Sequence, residues 1–311
     1  MEKKFVSLVV YLHNDENRIN SFLNEIYSTI SKSFEQYEFV FVDDACSDST
    51  MDVIKDFISS EKIESLVSVI HMGFYQGREA AMNAGRDVSI GDFIYEFDDV
   101  IADYPGKLIM DAYNRLIEGY DIVSACADSK QKFTSKLFYK VFNKFSRGSG
   151  RIGAESFRIV SRRAVNRIKS MGSYIPYRKA VYANCGLKTD MIKYECLNSD
   201  RMKKKNKFKE RRSLALDSFI YFTNIMEKIS ALVSGVFLLL TIVMLTYTAV
   251  DYFTDKGIAE GWASTMGFMS LGFFGVFALL TIILKYLSVM LNLIFRQQKY
   301  LVSDIEKIGG Q

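Results

Sequence analysis

Two uncharged runs, Ile229–Val250 and Trp262–Leu284, constrain this chain more than anything else in it. They hold 22 and 23 residues, and a helix of that length covers roughly 30 Å, the depth of a bilayer's hydrocarbon. Helices buried in soluble cores are rarely so long and so evenly apolar, so a pair of membrane spans is expected. The flanks carry a consistent charge pattern. Arg201, Lys203, Lys204, Lys205, Lys207, Lys209, Arg211 and Arg212 precede the first run, and Lys285, Arg296 and Lys299 follow the second. The short connection holds Asp251, Asp255, Lys256 and Glu260. Basic residues stay on the cytoplasmic side, which puts both termini there and the connection outside. The expected division is residues 1–205 as a folded domain and 206–228 as an amphipathic interfacial helix. Spans at 229–252 and 261–285 enclose an external loop at 253–260, and 286–311 is a cytoplasmic helix and tail.

The N-terminal part reads quite differently. Strand-like runs Phe5–Tyr11, Tyr37–Val42, Leu66–His71, Phe93–Phe97 and Asp121–Ala125 alternate with helical spacing over Asn17–Ser31, Asp48–Ser59, Arg78–Val88 and Asp103–Glu118. This alternation predicts an α/β domain, a largely parallel Rossmann-like sheet with helices on both faces. Phe5–Leu12 is too short for a signal-peptide core and reads as the first strand. Two histidines among 311 residues exclude a His-rich metal site, and the four cysteines, lacking CxxC spacing, read as free thiols. The net charge of +4 is mild. The basic run at 201–212 is explained by the adjoining span and by anionic lipid headgroups, so no nucleic-acid partner is expected. Lys132, Lys136, Lys140 and Lys144 form a ladder beside the apolar stripe Phe133, Leu137, Phe138, Val141, Phe142 and Phe145. That pattern suits either a helix lying at headgroup depth or a surface helix packed on the sheet. Gly148–Gly153 spells GxGxxG but follows a helix and precedes a strand, so it is no dinucleotide fingerprint.

Acidic residues mark the strand ends. Asn14-Asp15-Glu16 follows the first strand, Asp43-Asp44 the second, and Asp98-Asp99 with Asp103 the fourth. Ligands of open α/β sheets sit beyond the carboxyl ends of their strands. Carboxylates there suit ribose hydroxyls, base N–H groups or a metal, and a helix-capping turn is the plain alternative for each one taken singly. Gathered at one edge they repel, and a cationic or donor-rich ligand such as a nucleotide with a divalent ion would offset that.

The order Leu12-His13-Asn14-Asp15-Glu16-Asn17, Val42-Asp43-Asp44-Ala45-Cys46-Ser47-Asp48-Ser49-Thr50, Gly77–Gly85, Gly91-Asp92 and Phe97-Asp98-Asp99 resembles family 2 glycosyltransferases of GT-A fold. With the two-span tail it looks like the polyprenyl-phosphate type, related to dolichol-phosphate mannose synthase. The resemblance implies a GT-A nucleotide-diphospho-sugar transferase domain followed by a two-helix transmembrane hairpin. It implies a nucleotide-sugar donor, most often UDP-linked, held by Tyr11, Asn14, Glu16, Asp43, Asp44, Gly77, Arg78 and Arg201. Asp98 and Asp99 would be catalytic and, with Asp103, would hold Mg2+ or Mn2+. Lys132, Lys136 and Arg158 would position the phosphate of a polyprenyl (undecaprenyl) acceptor. The implied location is the bacterial plasma membrane, and the implied assembly a homotetramer.

The pattern departs from the family's at one telling place. Asp98, Asp103 and Pro105 fit the family's acidic element, but Val100 stands where its second metal-binding aspartate belongs, and Val cannot ligate a metal. Two functions follow as expectations. One is an inverting transferase that moves a sugar to lipid phosphate. The other is a non-catalytic, membrane-anchored binder of nucleotide sugars.

Overall fold

The computed structural model describes residues 1–128, 139–144, 151–171, 177–197, 261–295 and 300–308, with scattered positions between 228 and 250. Contacts divide the chain into two compact units, Met1–Leu214 with Arg296–Gln311, and Ala215–Phe295.

The first unit is built on an eight-stranded sheet of order β7-β5-β6-β4-β1-β2-β3-β8. Its strands are β1 (Glu2–Leu12), β2 (Phe34–Asp43), β3 (Leu66–Met72), β4 (Phe93–Phe97), β5 (Ile122–Ala127), β6 (Glu155–Ser161), β7 (Thr189–Tyr194) and β8 (Val302–Ile308). Helices α1 (Glu16–Ser33), α2 (Thr50–Ser60), α3 (Arg78–Val88) and α4 (Lys107–Ile117) follow the first four strands. Two short helices, α5 (Arg162–Ser170) and α6 (Arg178–Asn184), separate β6 from β7. The sheet is mixed where a largely parallel one is expected. β1 to β4 are parallel, but β6 runs antiparallel to β4 and β5, and β8 antiparallel to β3.

Register positions the site. Leu12 pairs with Asp43, Asp43 with His71, and Val10 with Phe97, so the carboxyl ends of β1 to β4 finish at one edge. The helices fall where hydrophobic spacing predicts them. α1 buries Ile19, Phe22, Leu23, Ile26 and Ile30, the stripe its sequence shows. α3 instead uses small residues to come close to the strands. A Cβ at Gly85 would lie 2.4 Å from Val9 Cγ1 and 2.6 Å from Val42 Cγ2. Gly85→Ala is therefore expected to cost about 1–3 kcal/mol by overpacking. A thermal unfolding midpoint unchanged from wild type would show that the two valines yield without cost.

Sequence patterning missed α5, α6, β7 and β8, which lie in short or polar segments. β8 occupies the region expected to be helix and tail. Its apolar residues Val302, Ile305 and Ile308 recur at every third position, so the segment shows no period-two strand signal.

In the second unit, α7 (Trp262–Phe295) is a continuous helix of 34 residues that contains the uncharged run 262–284. Its side chains are described without a gap only across 271–287. Among the described residues no helix is long and apolar enough to cross a membrane. The described positions between 228 and 250 are helical. The expected interfacial helix, the external loop, Lys132, Lys136 and Arg201 lie outside the described residues.

Candidate active site

Three loops meet beyond the carboxyl ends of β1, β2 and β4, and their side chains bind one another. Ser47 N donates to Asn14 Oδ1 at 2.8 Å, and Ser49 N to Glu16 Oε2 at 3.1 Å. In return Asp15 N donates to Thr50 Oγ1 at 2.8 Å and Glu16 N to Asp48 Oδ2 at 3.2 Å. Asn14 and Ala45 sit in the left-handed region at φ 57° and 55°, which lets each loop turn sharply off its strand. Arg18 pairs with Asp15 and reaches Asp99 Oδ1 at 3.9 Å, tying the first loop to the third.

The two adjacent acids of β2 do different jobs. Asp44 is fully buried. Its carboxylate accepts from Gln76 N at 2.8 Å, Gly77 N at 2.9 Å and Tyr11 Oη at 2.9 Å. Asp44 and Tyr11, expected at the donor, here fasten the loop that opens α3. Burial and Asp44 both push the Tyr11 phenol up, so it stays a donor. Gly77 takes φ 86°, where a side chain would be strained. Asp43 remains 9 % exposed. It accepts from Cys46 N at 2.7 Å and His71 Nδ1 at 2.8 Å.

Behind the third loop lies a buried charge cluster. Glu96 takes Arg158 Nη1 at 2.9 Å, Arg178 Nη1 at 2.6 Å and the Tyr182 hydroxyl. Arg158 Nη2 donates to Asp98 Oδ2 at 3.1 Å, and Arg178 Nη2 donates to Asp98 Oδ1. Arg158 also meets Glu155 at 2.8 Å, and Arg178 meets Glu79 at 3.1 Å. Both guanidinium groups are buried. Burial alone would raise the Asp98 carboxyl, but Arg178 and then Arg158 hold it well below the usual range. Arg158, expected at an acceptor phosphate, is thus a positioning cation for Asp98 and Glu96. Arg78 stands over the Tyr11 ring at 5.5 Å, with its Nε unpartnered. Burial opposes its charge, and Asp98 and Asp99 outweigh that, raising its pKa.

Among the described residues no group of three acidic, His or Cys side chains is arranged to hold a metal ion. Val100 is buried in the apolar core. Asp103, expected as a ligand, points inward and accepts from Tyr194 Oη at 2.7 Å, close to Cys196 Sγ at 3.7 Å. Its work is to secure the exit of β7. Asp98 and Asp99 remain, and each Asp98 oxygen keeps a lone pair beyond its arginine bond. One or two carboxylates do not make a resident cage, but they suit an ion that arrives already bound by phosphate oxygens.

The chain matches the family model described as glycosyl transferase family 2 over residues 7–169, more than half its length. It belongs to that family. The chain is therefore a glycosyltransferase, and the three knitted loops are its candidate donor site. It is 24% identical to an uncharacterized glycosyltransferase of Synechocystis over 308 residues, spanning 96% of this chain and 95% of that protein. A prophage bactoprenol glucosyl transferase homolog of Escherichia coli is 28% identical, spanning 70% of this chain and 72% of the homolog. Among solved structures, the mannosyltransferase of Pyrobaculum calidifontis, in complex with GDP-Man and Mn2+, superposes with TM-score 0.54 at 14% identity. The match spans 96% of this glycosyltransferase and 89% of the mannosyltransferase, and it supports the GT-A fold.

Several site residues carry no sequence signal. Arg178 and Tyr182 sit on a helix of seven residues, too short for periodicity. His71 reads as a strand end, and its contact to Asp43 exists only because β3 lies beside β2.

Proposed function

We propose that this glycosyltransferase moves a sugar from a nucleotide diphosphate donor to an isoprenoid-lipid phosphate at the cytoplasmic face of a bacterial plasma membrane. The carrying observation is the convergence of three acidic loops at one sheet edge: the Asn14 and Asp43 loops are hydrogen-bonded together, and Arg18 reaches from the first to Asp99. Asn14, Glu16 and Asp43 form a polar rim suited to base and ribose, and Arg78, whose charge Asp98 and Asp99 favour, is a cation suited to the diphosphate. The lipid acceptor is supported by relatives bearing the name bactoprenol glucosyl transferase in Shigella phages SfX and SfV, each 26% identical over 228 residues.

In this reading the acceptor phosphate oxygen attacks the anomeric carbon as the bond to the nucleoside diphosphate breaks, inverting the centre. The departing diphosphate takes the bonding electron pair. A phosphate monoester is anionic at neutral pH and needs positioning more than a strong base. A divalent ion carried in with the diphosphate would be met by Asp98 and Asp99 and would neutralise the leaving group.

Membrane anchoring is supported by α7. Phe273, Phe274, Phe277 and Leu284 are 59–70 % exposed along it. A helix apolar on all its sides needs lipid or protein around it. Strand β8 adds a topological argument. It follows α7 yet pairs with β3, so any crossings of a bilayer by the chain between them must be even in number. If 262–284 spans, so does 229–250.

The test is full-length protein with undecaprenyl phosphate and radiolabelled UDP-glucose or GDP-mannose. Label in the lipid extract is expected with one donor; none with either would defeat this reading. Buried Val100 favours the second reading, a binder without turnover, and nucleotide binding without any sugar release would establish it.

A further inference from the structure

The segment that follows α7 returns to the donor site by two separate routes. In the first, β8 places Glu306 beside His71, with Oε2 3.5 Å from Nε2, and His71 Nδ1 meets Asp43 Oδ2 at 2.8 Å. Asp43 only accepts, so Nδ1 carries the proton. Lys55 Nζ holds Glu306 from the other side at 3.0 Å, and Ser303 Oγ donates to the His71 carbonyl at 2.9 Å. In the second, the Gln76 side chain clasps the Leu301 backbone at 2.6 and 2.8 Å, while Gln76 N donates to Asp44. Two neighbouring acids of one turn are thus braced by chain that lies more than 200 residues away in sequence.

We propose that His71 is a positioning residue for the donor. Backed by Glu306 of the returning strand, it orients the Asp43 carboxylate toward the nucleoside. The proposal rests on the reading of Asp43 as a donor-binding acid. Its physical content is rotamer control. Cys46 N holds one Asp43 oxygen and His71 the other, so the carboxylate cannot swing away, and its outward lone pairs stay aimed at the open side. Without His71, Asp43 must be ordered by the nucleotide itself, which weakens binding and leaves the chemical step alone.

The test titrates UDP and GDP into full-length wild type, His71→Ala, His71→Asn and Asp43→Ala, with thermal unfolding of each. Asn sets its Nδ2 close to where Nδ1 stood and keeps the donor. The expected result is about tenfold weaker binding for His71→Ala, return toward wild type for His71→Asn, and KM raised with kcat little changed. If Asp43→Ala weakens binding and His71→Ala does not, this proposal alone falls. If His71→Asn binds as poorly as His71→Ala, positioning by the donated proton is overturned too. If wild type binds neither nucleotide, the donor reading fails and carries this one with it.

Discussion

Asp98→Asn is expected to lower sugar transfer by about a hundredfold or more, the loss typical when one preorganised charge partner leaves a reacting centre. The fold should survive. Arg158 keeps Glu96 and Glu155, and Arg178 keeps Glu96 and Glu79, so neither guanidinium is left bare. Transfer measured with labelled donor, beside a thermal midpoint near that of wild type, checks both halves. Undiminished transfer would remove Asp98 from the chemistry. The same carboxylate predicts an acid dependence. Its folded pKa is depressed by Arg178 and Arg158 against burial. Its contribution to stability is therefore complete above the unfolded value of about 4 and is lost as pH falls toward the folded one. Asp98→Asn should flatten that part of the stability profile below about pH 4.

Glu96→Ala is expected to be the most damaging single change to the fold. Glu96 is fully buried at the middle of the cluster and answers Arg158, Arg178 and Tyr182 together. Removing it leaves two buried guanidinium groups short of an acceptor. Breaking such a pair costs about 3–5 kcal/mol, on the order of 10 °C in melting temperature for a unit of this size. Glu96→Gln retains an acceptor and should lose less. Circular dichroism melts of the full-length protein decide it. Equal midpoints for wild type and Glu96→Ala would mean that Asp98, Glu79 and Glu155 alone suffice for the two arginines.

The acidic edge also changes an argument from the sequence. Carboxylates gathered at three strand ends need something cationic, and the sequence reading assigns that role to a bound nucleotide and its ion. The structure supplies much of the compensation from within. Arg18 bridges Asp15 and Asp99, Arg78 leans toward Asp98 and Asp99, and Arg158 and Arg178 flank Asp98. The site is closer to electrically balanced before any ligand arrives, which leaves Asp43 and the Asn14–Glu16 rim as the surface proposed to meet a donor.

What the sequence by itself determined is local and periodic. The alternation of strands and helices, the buried stripe of α1, the bounds of α3 and β4, and the acids closing β1, β2 and β4 were all legible, because hydrophobic period and turn chemistry act within a few residues. Only the tertiary structure decided which acids face outward and which are consumed inside. Asp43 and Asp44 are neighbours with the same chemistry, yet one meets a histidine from β3 and the other three donors, one from β1 and two from the loop before α3. It also decided that the segment beyond the apolar helix forms a strand on β3, since an edge strand takes its partner from the sheet it joins. Those outcomes depend on strand order and register, and contacts between residues distant in the chain leave no period to read.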